Sequence, residues 1–86
     1  TKNRIMKRKD LLLQVSEIFI DTLDNESLVV EETTQATDVD EWDSLTHIML
    51  VVAIEKYFNI QFTSKEIQSW SNVGEMINTI SAKIAS

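Results

Sequence analysis

Apolar residues recur at helical spacing in three long stretches of this chain, and no stretch alternates in the two-residue rhythm of a paired strand. Leu11, Leu12, Val15, Ile18, Phe19 and Leu23 mark a first helix that starts at about residue 5 or 10 and ends near 22, with Asp10 as an internal cap or first-turn acid. Leu45, Ile48, Met49 and Val52, with Val51, Ile54 and Phe58 on the adjoining stripe, mark a second helix over 44–58 that is close to apolar all round. A last helix takes its buried stripe from Val73, Met76, Ile77, Ile80 and Ile84, with Asn72 as its cap and Glu75 at the third helical position. Between these, Asn59-Ile60-Gln61-Phe62 breaks the period. Thr63-Ser64-Lys65-Glu66 then has the spacing of a capping box, which predicts a short helix over about 64–69. The fold class is all-α: a four-helix bundle with three longer helices, a short third one and a long first loop.

That loop, from Asp24 to Asp43, carries β-branched and acidic residues without a sustained period. It is expected to be a connection pinned by Leu28, Val30, Val39 and Trp42, the indole serving as an anchor over the core. Connections of this length are uncommon in small domains unless they have a function. The chain has no proline, so polar caps must shape its turns. Its single glycine, Gly74, falls inside the last helix, where it costs about 1 kcal/mol relative to alanine or allows close contact with another helix.

The loop delivers Glu41-Trp42-Asp43-Ser44-Leu45-Thr46 to the start of the second helix. Asp43 is its natural N-cap, a carboxylate that accepts from the first free backbone N–H groups and faces the positive end of the helix dipole. Ser44 becomes the first helical residue. A phosphate on its hydroxyl oxygen would sit beside unpaired N–H donors, a position suited to a phosphodiester.

Asp43-Ser44-Leu45, set behind a long loop and followed by a short and then a last helix, resembles the motif of the acyl carrier proteins, and the resemblance covers roughly residues 8 to 85. In that family the serine carries 4′-phosphopantetheine. The resemblance implies that a phosphopantetheinyl transferase, using coenzyme A and Mg²⁺, attaches the arm to Ser44. It also implies that the arm's thiol holds acyl groups as thioesters, and that acyl-loading and acyl-accepting enzymes are the other partners. Asp43 would cap the helix and offer its charge to the transferase, and Leu45 would flank the arm. The protein itself would catalyse nothing. Partner recognition would use the second helix, through Leu45, Ile48, Met49, Val52 and Glu55. Carriers of fatty-acid synthesis bear several acids on this helix, whereas here Glu55 is the only one, with Met49, Val52, Lys56 and Tyr57 at or near the places where acids are expected. A dedicated pathway is therefore favoured, together with an exposed patch of Leu45, Ile48, Met49 and Val52.

Composition narrows the choice further. Eighty-six residues make one domain, with residues 1–9 expected as a solvated or frayed basic start. The net charge is −6. Lys2, Arg4, Lys7, Arg8 and Lys9 precede the first acid, and residues 21–43 then hold nine acids and no lysine or arginine, a distribution that disfavours nucleic acid. With no cysteine and one histidine, a Cys/His zinc site is excluded, and any reactive sulfur must come from a cofactor. No apolar run reaches the length of a membrane span or makes a signal peptide, so a cytoplasmic monomer is expected. Asp38-x-Asp40 opens like a calcium loop, but Trp42, Asp43 and Met49 stand where a ligand, the turn glycine and the bidentate glutamate belong. Asp43, Ser44 and His47 lie within one helical turn, which leaves no third group to orient a base, so His47 is expected to be a packing residue. Two other readings stay open: an unmodified helical interaction module, and an aminoacyl or peptidyl carrier protein. The approach to the serine lacks the glycines usual in peptidyl carriers.

Overall fold

The computed structural model describes residues 7–85, arranged as four α-helices and one 3₁₀ turn. Helix α1 spans Arg8–Leu23 and presents Leu11, Val15, Phe19 and Leu23 to the core, a three-to-four-residue spacing that keeps them on one face. It ends one residue beyond the expected 22. The earlier of its two expected starts, near residue 5, lies outside the described residues. Asp10 is in the first turn, as one of its two expected roles required.

Helices α1 and α2 (Ser44–Phe58) end in the same way. Asp24 and Asn59 take the left-handed conformation, at φ 54° and 57°, and their N–H groups donate to the carbonyls of Ile20 and Glu55. Neither position has a glycine. Asp and Asn are the L-residues that tolerate this conformation best, because their short polar side chains can hydrogen-bond locally.

Helix α3 (Ser64–Ser69) starts with the expected capping box. Thr63 Oγ1 accepts from the Glu66 N–H at 3.1 Å, and the Glu66 carboxylate accepts from the Thr63 N–H at 2.8 Å. Lys83 of α4 (Val73–Ala85) pairs with Glu66 at 3.1 Å and lies 6.0 Å from the Phe62 ring centroid, tying α3 to α4. Asn72 caps α4 by accepting from the Glu75 N–H at 3.0 Å.

The core is one apolar cluster of α1, α2, α4 and the loop. Phe19, Leu11, Leu50, Ile54, Met76, Ile77 and Ile80 are its largest fully buried side chains. Val30, Val39 and Trp42 reach it from the loop, and Leu28 packs against its edge. The loop is more structured than its lack of period suggests. A 3₁₀ turn, Ala36–Asp38, is closed by Gln35 and Asp38, and the Thr34 hydroxyl accepts from the Glu31 N–H.

Gly74 does not bring two helices together, as one of its two expected roles required; what comes close is the loop. The Gly74 N–H donates to the Glu32 carbonyl at 2.7 Å, and the Val73 N–H to that of Thr34 at 2.9 Å, so loop carbonyls satisfy free donors at the start of α4. A Cβ on Gly74 would stand 3.0 Å from that Glu32 oxygen. Arg8 closes the same corner by donating to the Glu32 carboxylate, to Asn78 and to the Gly74 carbonyl. Part of the basic start is thus held in the fold. Gly74→Ala is expected to lower stability by about 1 kcal/mol despite the better helix propensity of alanine, since a hydrogen-bonded backbone must move. Urea unfolding of the two proteins measures the difference.

Candidate functional site

Helix α2 begins where the loop ends, and three side chains hold the junction. The Asp43 carboxylate accepts from the Thr46 N–H at 2.9 Å, and Thr46 Oγ1 accepts from the Asp43 N–H at 2.7 Å, a reciprocal capping box. The Thr46 hydroxyl in turn donates to the Glu41 carbonyl at 2.7 Å and so draws the end of the loop onto the helix. These bonds, those from Thr46 foremost, hold the Asp43 carboxyl below the usual carboxylate range.

Trp42 is the anchor of the junction. Its indole, 8% exposed, stands edge-on to Phe19 at 4.9 Å, and its Nε1–H donates to His47 Nδ1 at 3.0 Å. His47 is half-buried. It stacks on Trp42 and meets the edge of Trp70, whose own Nε1–H donates to Thr79 of α4 at 2.9 Å. Burial depresses the His47 pKa, and a hydrogen bond with the Ile67 backbone opposes that only in part. The imidazole is thus a packing residue engaged away from Asp43, with no triad geometry around it.

Ser44 is exposed as the first residue of α2, and no hydrogen bond engages its hydroxyl among the described residues. It lies at the mouth of a cleft whose other walls include Trp42, His47, Ile67, Gln68 and Trp70. The expectation of unpaired N–H donors beside it needs correction. The Thr46 N–H is taken by Asp43, and the Leu45 N–H is also turned toward that carboxylate, so the cap has already filled that role.

Beyond Ser44, Leu45 is 68% exposed, Ile48 61%, Met49 46% and Val52 44%, whereas Leu50, Val51 and Ile54 are buried. Glu55 follows Val52 by one turn and lines the same hollow. Its carboxylate accepts from the Phe62 N–H at 2.9 Å, which fastens the turn after α2. Among the described residues no cluster of His, Cys, Asp or Glu could hold a metal ion, and no helix is long and apolar enough to cross a membrane.

The profile of the family described as "phosphopantetheine attachment site" matches residues 14–80. The chain belongs to the phosphopantetheine-binding acyl carrier family. Among solved structures it is similar to the holo acyl carrier protein from Geobacter metallireducens, determined by solution NMR. The two share 36% sequence identity at a TM-score of 0.83, over 87% of this chain and 86% of that one. The fold is accordingly that of the acyl carriers, and the protein is a carrier with 4′-phosphopantetheine as its covalent cofactor, not a catalyst. Modification by a phosphopantetheinyl transferase follows from membership.

The junction suits such an arm. A free, exposed hydroxyl leads off a helix whose start is capped independently of it, so a group added there displaces no hydrogen bond of the carrier. Thr46 is the junction residue that sequence patterning missed. Its signal was a hydroxyl three positions after the cap, the capping box with its side chains exchanged. Asp43→Ala should lower the unfolding temperature by roughly a few degrees, and Asp43→Asn by less, because the amide oxygen still caps. The folded pKa of Asp43 lies below its unfolded value. Its contribution is therefore full above the unfolded carboxylate range and lost as pH falls through the folded pKa. Thermal melts from pH 7 to pH 3 should show the parent and Asp43→Asn converging at the acid end.

Proposed function

We propose that Ser44 carries the phosphopantetheine arm and that the exposed face of α2 presents it to the enzymes of a dedicated biosynthetic pathway, with acyl groups as cargo. The observation that carries this is the free Ser44 hydroxyl at the first position of α2, between a capping Asp43 and an exposed Leu45. In the loading step the Ser44 oxygen gives up its proton and attacks the phosphorus that bears the pantetheine of coenzyme A; the pyrophosphate bond breaks, adenosine 3′,5′-bisphosphate leaves, and the phosphodiester forms. The arm, once attached, supplies a thiol that holds acyl groups as thioesters.

The chain's own residues have simpler tasks. Asp43 and Thr46 keep the first turn of α2 wound whatever is attached beside them, and the Asp43 charge remains available to a basic group on the transferase. Leu45, Ile48, Met49 and Val52 form the docking face for the transferase and for the acyl-loading and acyl-accepting enzymes. Glu55 borders that face, giving one carboxylate oxygen to the Phe62 amide and keeping the other for a partner.

An apolar docking face distinguishes this carrier from those that meet basic enzyme patches with a row of acids, and it supports a dedicated pathway over general fatty-acid synthesis. Apolar contact is screened little by salt, whereas steering between exposed charges decays within a Debye length of about 8 Å at physiological ionic strength. Modification rates should therefore change less than threefold between low and moderate salt. Met49→Lys, by contrast, should raise the apparent KM of the transferase about tenfold with the fold intact, as expected when an apolar contact near the centre of an interface is replaced by charge. A steep salt dependence together with a silent Met49→Lys would point to the acidic loop as the docking element.

Intact-protein mass spectrometry after incubation with coenzyme A, Mg²⁺ and a promiscuous phosphopantetheinyl transferase tests the attachment site. The parent chain should gain the mass of one phosphopantetheine, and Ser44→Ala should gain none while keeping the parent's circular dichroism, since the substitution is at an exposed position. A gain in Ser44→Ala would move the arm to another residue. No gain in either protein with several transferases would favour an unmodified interaction module.

A further inference from the structure

We infer that neutral His47 is a positioning residue that latches the start of α2 to the preceding loop and to α3, and that a second proton on its ring opens the latch. The geometry assigns the tautomer. Nδ1 accepts from the Trp42 indole at 3.0 Å, so it carries a lone pair, and the ring's single proton sits on Nε2, on the side of the Ile67 backbone. The two rings stack at 5.9 Å and 21° apart, and Trp70 closes the stack edge-on at 6.1 Å. One imidazole thus joins the loop through Trp42, α3 through Ile67, and the α3–α4 connection through Trp70.

A proton on Nδ1 would set two N–H donors against each other at hydrogen-bond distance. The Ile67 backbone on the other side of the ring favours the resulting cation, but burial disfavours it more strongly. The loop faces His47 with Trp42 and Ala36, and α3 faces it with Ile67 and Gln68, all uncharged. On α3 the charged residues are Lys65, exposed, and Glu66, paired with Lys83. Asp43, on the same helix as His47, is the other titratable group of the cleft, and its carboxylate is engaged by Thr46. Burial acts in the same direction, holding the folded pKa of His47 below its unfolded value. The latch is therefore complete above about pH 6.5, the ordinary imidazole value, and is lost as pH falls below that through the folded pKa. Because the same cleft opens at Ser44, the latch would govern whether a group attached there can enter it. That consequence rests on the attachment site proposed above, while the latch belongs to the unmodified protein and is tested there.

Imidazole ¹⁵N NMR of the unmodified protein from pH 8 to pH 5 should give the Nε2–H tautomer for His47 and a midpoint below 6.5. Below that midpoint the Trp42 indole N–H should exchange about fivefold faster than in His47→Gln at the same pH, since glutamine keeps an acceptor that does not titrate. The Trp70 indole, bonded to Thr79, should show no such difference and serves as the internal control. Trp42→Phe, which removes the opposing donor, should raise the His47 midpoint, an effect that a purely steric role for Trp42 does not produce. If His47→Gln does not fold, the tautomer and the Trp42→Phe shift decide alone. An Nδ1–H tautomer, a midpoint at or above 6.5, or the same Trp42 transition in His47→Gln would overturn the latch.

Discussion

The rest of the site depends on where the Trp42 indole is lodged. A twenty-residue connection has many ways to reach the second helix, and ordering it costs roughly 1–2 kcal/mol of backbone entropy per residue. Burial of Val30, Val39 and Trp42 offsets part of that cost, and Trp42 is the member of the set next to the cap. With its ring edge against Phe19 and its N–H on His47, the chain enters α2 at a defined point and angle. Asp43 then falls at the cap, and Ser44, one residue on, falls outside the core with its hydroxyl free.

The other end of the loop is held differently. Glu32 and Thr34 give their carbonyls to the first N–H groups of α4, and Arg8 brings the start of α1 to the same corner. The loop therefore acts as a cap for one helix and as the entry to another, which explains how so long a connection is ordered with few apolar anchors. It also explains the glycine. Position 74 must let a carbonyl approach to 2.7 Å, which concerns backbone packing and not backbone conformation.

Most of the helix pattern was legible in the sequence because it is locally determined. The start of α3 follows from Thr63 and Glu66 alone, and the stripe of α4 follows from five apolar residues among polar ones, four of them buried and Ile84 partly so. Helix α2 was legible in extent but only partly in orientation. It is apolar on nearly every side, so periodicity does not separate Leu50, fully buried, from Met49, half exposed. That choice is made chiefly by packing against α1, which no local window contains. The same holds for the Trp42–His47 bond and for the Gly74–Glu32 contact. Each joins residues whose proximity is a result of the fold, and neither leaves a motif. Ser44 was legible because its motif is contiguous, whereas the free state of its hydroxyl is a property of the assembled junction.

An apolar face left in water on α2 is a cost that packing alone does not explain. Burying a side chain of this kind gains about 1.5–3 kcal/mol, and four of them lie on one side of a helix whose opposite side already supplies the core. A polar residue at any of the four positions would be no worse for the fold, since exposed substitutions are usually close to neutral. On the proposed function, a partner would cover them for part of the time. The charge of the chain fits the same arrangement. A net charge of −6 makes copies repel one another, which works against pairing through a shared apolar face, and it does not hinder a neutral or basic partner. Apolar contact would then set the strength of docking, and the acidic loop leading to Ser44 would select against the wrong neighbour.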